Sequence, residues 1–175
     1  MKNYIALLRG INVGGHKKIK MADLRTALSN LGLKNVATYI QSGNVFFTSE
    51  EKNIKKLEQD IHNTIVEVFG FEVPVLVTTK EDLQAVLDNC PFDEDVKQNS
   101  CFVLFYDTPD ADLVKVVSEI SYPNETIIIK ENCIYFYSAV GYGKVKFNNS
   151  FFERKLKVIS TARNYKTMLH LTGIH

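Results

Sequence analysis

Cysteine is scarce in this 175-residue chain, and its three copies, Cys90, Cys101 and Cys133, are odd in number and widely spaced. That pattern supports neither a disulfide framework nor a thiolate metal site, and buried free thiols are expected. His62, His170 and His175 show no metal spacing with one another or with a cysteine. His62, beside Gln59 and Asn63 in a helical run, reads as a surface histidine. The acidic run Asp93-Glu94-Asp95 lacks the glycine and spacing of a calcium loop, so a solvated loop and no metal are expected. No apolar run reaches the ~18 residues that span a bilayer, which argues against a membrane protein. The start, MKNYIALLR, lacks the apolar core and small-residue cleavage site of a secretory signal, and a cytoplasmic location is expected. No stretch rich in proline, glycine or serine divides the chain, so its parts are expected to pack as one unit.

What is present is enough apolar residue to build a core. With 45% hydrophobic side chains, a chain of this length buries roughly 70% of the surface its unfolded form exposes, sufficient for one domain or two small fused ones. The net charge of +1 conceals a division. Residues 1–48 hold seven Lys/Arg and one acid, residues 49–130 seven Lys and seventeen acids, and residues 131–175 seven Lys/Arg and two acids. Two basic ends flank an acidic middle, and ends that meet in the fold would make a positive surface attractive to anions.

Apolar periodicity predicts a strand over NYIALLR, a helix over MADLRTALSNL ending at Gly32, and a hairpin of NVATYI and NVFFTS turning through Gln41-Ser42-Gly43. A long helix follows, read as capped by Ser49 with Glu50 and Glu51 in its first turn, and then the strand VPVLVTT. Thr79 and Asp82 stand in capping-box relation at a short helix. The strand CFVLFYD, a helix opened by Thr108-Pro109, a hairpin of TIIIK and CIYFY, and the helix FNNSFFERKL capped by Asn148 or Asn149 then repeat the order. The expected fold is α+β, with two packed ferredoxin-like βαββα halves, antiparallel sheets and helices on one face of each. The first half, 1–80, adds a closing strand; the second, 81–175, ends in a basic TARN tail.

The halves differ in their loops. Half one leaves its first strand through RGINVGGHKK and turns through QSGN; half two has only YDTPD and KEN. Gly10 to Gly15 fits the spacing of a phosphate loop, but His16 and Lys17 stand where that motif needs Lys and Ser/Thr, which excludes a true P-loop. Glycines still let backbone N–H groups line an anion-binding concavity, with Arg9, His16, Lys17 and Lys18 supplying charge. Gln41, Ser42 and Asn44 read equally as ligand hydrogen-bonders or as turn residues. Ser42 has no GxSxG elbow around it and is a poor nucleophile. Arg163 and Asn164, in STARNYKTML, are read as an anion clamp, because Arg makes bidentate contacts with carboxylate and phosphate. The expected ligand site therefore comprises Arg9, Gly10, Asn12, Gly14, Gly15, His16, Lys17, Gln41, Ser42, Asn44, Arg163 and Asn164, with no cofactor and no assigned catalytic residue.

Three segments, LLRGINVGG, TYIQSGNV and Thr161-x-Arg163-Asn164, resemble the bacterial domain-of-unknown-function family one-six-nine-seven. Members often carry tryptophan after that asparagine; here the position is Tyr165. The resemblance implies an α+β fold of two related subdomains and no particular activity.

The leading expectation is a monomer or homodimer that binds a small phosphorylated or carboxylate-bearing molecule. Nucleic-acid binding is the second reading, weakened because GNVFFTS lacks the basic-glycine-aromatic pattern of RNA-recognition strands. The third is a protein-interaction module, favoured if a sheet face exposes Tyr135 and Tyr137.

Overall fold

The computed structural model describes residues 1–173 and divides into two compact units, Met1–Leu83 and Gln84 onward. In the first, β1 (Lys2–Leu8) is followed by α1 (Met21–Asn30), β2 (Lys34–Tyr39), β3 (Asn44–Ser49), α2 (Ile54–Phe69) and β4 (Val75–Thr78). Its sheet order is β2-β3-β1-β4, antiparallel throughout, which is the ferredoxin-like arrangement. Tyr4, Ala6 and Leu8 alternate along β1 onto a core shared with Leu24 and Leu28 of α1 and Leu57, Ile61 and Ile65 of α2. Ile5 and Leu7, on the other face of β1, are buried as well.

Helix α3 (Lys80–Asp88) starts on the capping box expected from the sequence: Asp82 N–H donates to Thr79 Oγ1, and that hydroxyl donates back to the Asp82 carboxylate. The second unit continues through α4 (Glu94–Lys97), β5 (Cys101–Phe105), α5 (Ala111–Ser118), β6 (Glu125–Ile129), β7 (Cys133–Ser138), α6 (Asn149–Leu156), β8 (Ser160–Asn164) and α7 (Tyr165–Thr172). Its sheet order, β6-β7-β5-β8, repeats that of the first unit. Phe136, Phe147, Phe151 and Phe152 form the centre of its core, with neighbouring ring centroids 5.3–6.4 Å apart.

The fold differs from the sequence reading at several ends. Ser49 still belongs to β3, where it pairs with Lys2, so α2 begins later and is capped by Asn53, whose side chain accepts from Lys56 N–H. Glu51 instead binds the N–H groups of Lys52 and Asn53, which hold its carboxyl below the usual range. Pro109 precedes α5 rather than opening it, because Asp110 accepts from Asp112 and Leu113 N–H and sets the cap there. Asp93-Glu94-Asp95 runs into the one-turn α4 instead of a loop. His62 is half-buried, with Nδ1 2.9 Å from the Val73 carbonyl, since α2 turns that position toward the approach to β4. Asn148 supplies the α6 cap. The largest difference is the TARN segment, which is not a tail but strand β8, paired antiparallel with β5. Tyr135 is 1% exposed and donates its hydroxyl to the Val86 carbonyl, so the open tyrosine face on which an interaction module would rest is absent at that residue.

Candidate functional site

Five of the eight residues from 10 to 17 have positive φ: Gly10, Asn12, Gly14, Gly15 and Lys17. Glycine takes that conformation at little cost, whereas Asn12 and Lys17 need something to hold them. Asn12 is held by its amide: Nδ2 donates to the carbonyls of Ile19, 3.0 Å, and Gln41, 2.9 Å, while Oδ1 accepts from Ile19 N–H at 2.9 Å. Lys17 is held by its ammonium, which donates to the Glu72 carbonyl at 2.7 Å. A small turn closes the tip, His16 N–H donating to Val13 C=O. The loop is therefore a defined structure tied to the QSGN turn and to the segment before β4.

The turn is constrained in the same way. Asn44 is fully buried, and its Nδ2 donates to the Tyr39 carbonyl and to Ser42 Oγ. Gly43, at φ +85°, gives its carbonyl to Leu8 N–H at 2.8 Å. Ile40 has φ +48° although it is β-branched, and it is half exposed. Such backbone strain persists only where flanking bonds over-determine it, here those at Tyr39 and Gln41.

Between loop and turn lies a cleft of 580 Å³ lined by Asn12, Gly15, Lys18, Ile19, Lys20, Met21, Asp23, Gln41 and Phe69. It opens at the start of α1, whose N-cap residue, Lys20, makes no side-chain capping bond. Lys18 and Lys20 are exposed, and Asp23 offsets one of the two charges.

Of the residues expected from sequence, Asn12, Gly15 and Gln41 meet in this cleft. Gly10, Gly14, His16 and Lys17 shape the same loop, and Ser42 and Asn44 the adjoining turn. Arg9 follows β1 half-buried, its N–H donating to the Pro74 carbonyl. Arg163 and Asn164 belong to the second unit. Arg163 is 7% exposed, with Nη1 2.8 Å from both Thr161 Oγ1 and the Ala162 carbonyl, and burial pushes its guanidinium down to about 10. Asn164 caps α7 by accepting from Thr167 N–H. Sequence reasoning missed Lys20, Ile19, Met21, Asp23 and Phe69; the basic run HKKIK ahead of a helix was the available signal for the first. His175 lies outside the described residues, and among those described no group of three His, Cys, Asp or Glu side chains is placed to hold a metal ion.

A family model described as "Protein of unknown function (DUF1697)" matches residues 1–135. The chain belongs to the DUF1697 family. The matched span holds the glycine loop and the QSGN turn of this DUF1697 chain but ends before β8. Among solved structures, the conserved bacterial protein SP0830 from Streptococcus pneumoniae is similar to it over 98% of this chain and 97% of that one, at 29% identity and a TM-score of 0.74. No curated protein matches the chain.

Proposed function

We propose that the first unit binds a small anionic molecule, phosphorylated or carboxylate-bearing, in the cleft between the RGINVGG loop and the QSGN turn. One observation carries this reading: the two motifs, 29 residues apart at Asn12 and Gln41, are bonded to each other and wall one cleft whose rim bears Lys18 and Lys20. Asn12 acts as the strut that fixes the rim, since both its N–H donors are committed to backbone carbonyls. Gly15 presents backbone at the cleft, and the lysines supply the charge. Asn44 and Ser42 keep the turn rigid, so little must be ordered when a ligand arrives.

Lys18→Gln combined with Lys20→Gln tests the proposal. Titration calorimetry with sugar phosphates and dicarboxylates is expected to show binding by the native protein and at least a tenfold loss in the double variant, roughly what one lost charge-assisted hydrogen bond is worth. Native protein that binds none of these anions refutes it. The salt dependence is expected to be shallow, as for a pocketed small anion; a steep slope would favour polynucleotide binding instead. The small-ligand reading is preferred because Ile5 and Leu7 of β1, on the face away from α1 and α2, are apolar and buried. RNA-recognition sheets present exposed aromatics on that face.

A further inference from the structure

We infer that the ligand of this cleft carries a flat ring as well as its anionic group, and that it belongs to the class of free nucleoside monophosphates. The inference rests on the anion-site reading above and adds what the rest of the cleft wall requires. At 580 Å³ the cleft lies within the roughly 300–1,000 Å³ of small-molecule sites, far more room than an inorganic ion fills. Its wall is of two kinds. Lys18 and Lys20 are exposed and alternate along the chain with Ile19, which is buried, and Met21, which is partly buried; Phe69 adds a partly buried aromatic ring and Gln41 an exposed polar residue. Ile19 is fully buried and its backbone N–H and C=O are both bonded to Asn12, so the apolar floor is rigid.

Phe69 is the decisive residue. It ends α2, where Gly70 turns the chain at φ +79°, and it is only partly buried although Phe71 packs beside it with ring centroids 6.4 Å apart. An aromatic ring lining a cleft of this size offers a surface to a planar group, and base–aromatic stacking is tolerant of base identity. Phosphate chemistry suits the lysines, and a base edge presents donors and acceptors to which the amide of Gln41 is matched. A sugar phosphate alone would leave the exposed parts of Met21 and Phe69 in water.

The experiment compares the four nucleoside 5′-monophosphates with ribose 5-phosphate, inorganic phosphate and a 5′-phosphorylated hexanucleotide, by calorimetry on the intact protein. At least one mononucleotide is expected to bind about tenfold or more tightly than ribose 5-phosphate, the gain stacking supplies. Phe69→Leu, which keeps an apolar side chain and removes the ring, is expected to bring that ratio to within about twofold. Equal affinity for mononucleotide and ribose 5-phosphate in the native protein overturns the ring inference while leaving the anion site standing. Binding of none of the phosphates overturns the mononucleotide inference and the phosphate form of the anion reading, leaving only its carboxylate form to the dicarboxylate titration above. Tighter binding of the hexanucleotide overturns the assignment to a free mononucleotide. Because the comparison of ligands on native protein decides the matter, a Phe69→Leu chain that fails to fold does not shelter the inference.

Discussion

Replacing Gly43 by alanine is expected to damage the first unit more than any other single methyl addition in the two motifs. Gly43 is buried at the QSGN turn with φ +85°, and a Cβ built there would lie 2.6 Å from Leu8 Cβ, 3.1 Å from Ile11 Cδ1 and 3.2 Å from Leu8 Cγ. Ile11 Cδ1 is the end of a side chain and can move. Leu8 Cβ cannot, because it is one bond from a backbone whose N–H already donates to the Gly43 carbonyl at 2.8 Å. The left-handed conformation costs alanine about 1–2 kcal/mol, and overpacking a fully buried contact adds about 1–3 kcal/mol. The sum, about 2–5 kcal/mol, is comparable to a large share of a domain's total stability. Gly14→Ala is the control. Its φ is +57°, but the nearest atom to a new Cβ is His16 Cδ2 at 3.8 Å, so only the conformational cost of about 1–2 kcal/mol is expected, without the overpacking. Denaturant titration of both variants, with the slope m unchanged, measures the difference. A loss below about 1 kcal/mol for Gly43→Ala would show that β1 and the turn slide past each other freely, and the rigid-rim argument would fall with it.

Arg163→Met is expected to destabilise the second unit by about 2–4 kcal/mol, since it leaves Thr161 Oγ1 and the Ala162 carbonyl without their buried donor; a loss under about 1 kcal/mol in a melt would instead restore the reading of Arg163 as a ligand clamp. Burial pushes the Cys101 and Cys133 thiols up to about 11 from the usual 9. Unfolded chains release these protons first, so the stability they contribute is full below about pH 9 and is lost as pH rises toward 11. Replacing both by alanine is expected to flatten that alkaline decline in denaturation midpoints, and an unchanged decline refutes it.

Most of the fold was legible because its elements carry clean periods. The alternation of Tyr4, Ala6 and Leu8 and the helical spacing of Leu57, Ile61 and Ile65 survive into one core. Strand β8 was not legible for a physical reason. Ser160, Thr161 and Arg163 are buried polar residues, so their hydrophobic signal is nil, and only pairing with β5 makes sense of the segment. The misplaced helix starts have a common origin too: Ser49 and Pro109 are good starters by type, but ladder pairing retains one and a better-placed Asp110 displaces the other.

The candidate site was legible where it depends on backbone and illegible where it depends on convergence. Positive φ at Gly10, Gly14, Gly15 and Gly43 follows from residue type. Nothing in the local sequence could connect Phe69 to Gln41, which come to one cleft through the packing of α2 and the turn of a hairpin. The strained positions show why loop and turn act together. Asn12 and Ile40 both stand at positive φ, in segments joined by the bond from Asn12 Nδ2 to the Gln41 carbonyl. Positive φ alone is no mark of a site, since Asn35, Asn124 and Lys157 adopt it elsewhere in the fold. What sets Asn12 and Ile40 apart is that their segments are cross-tied beside one cleft, so that freeing either side would change the geometry of the other.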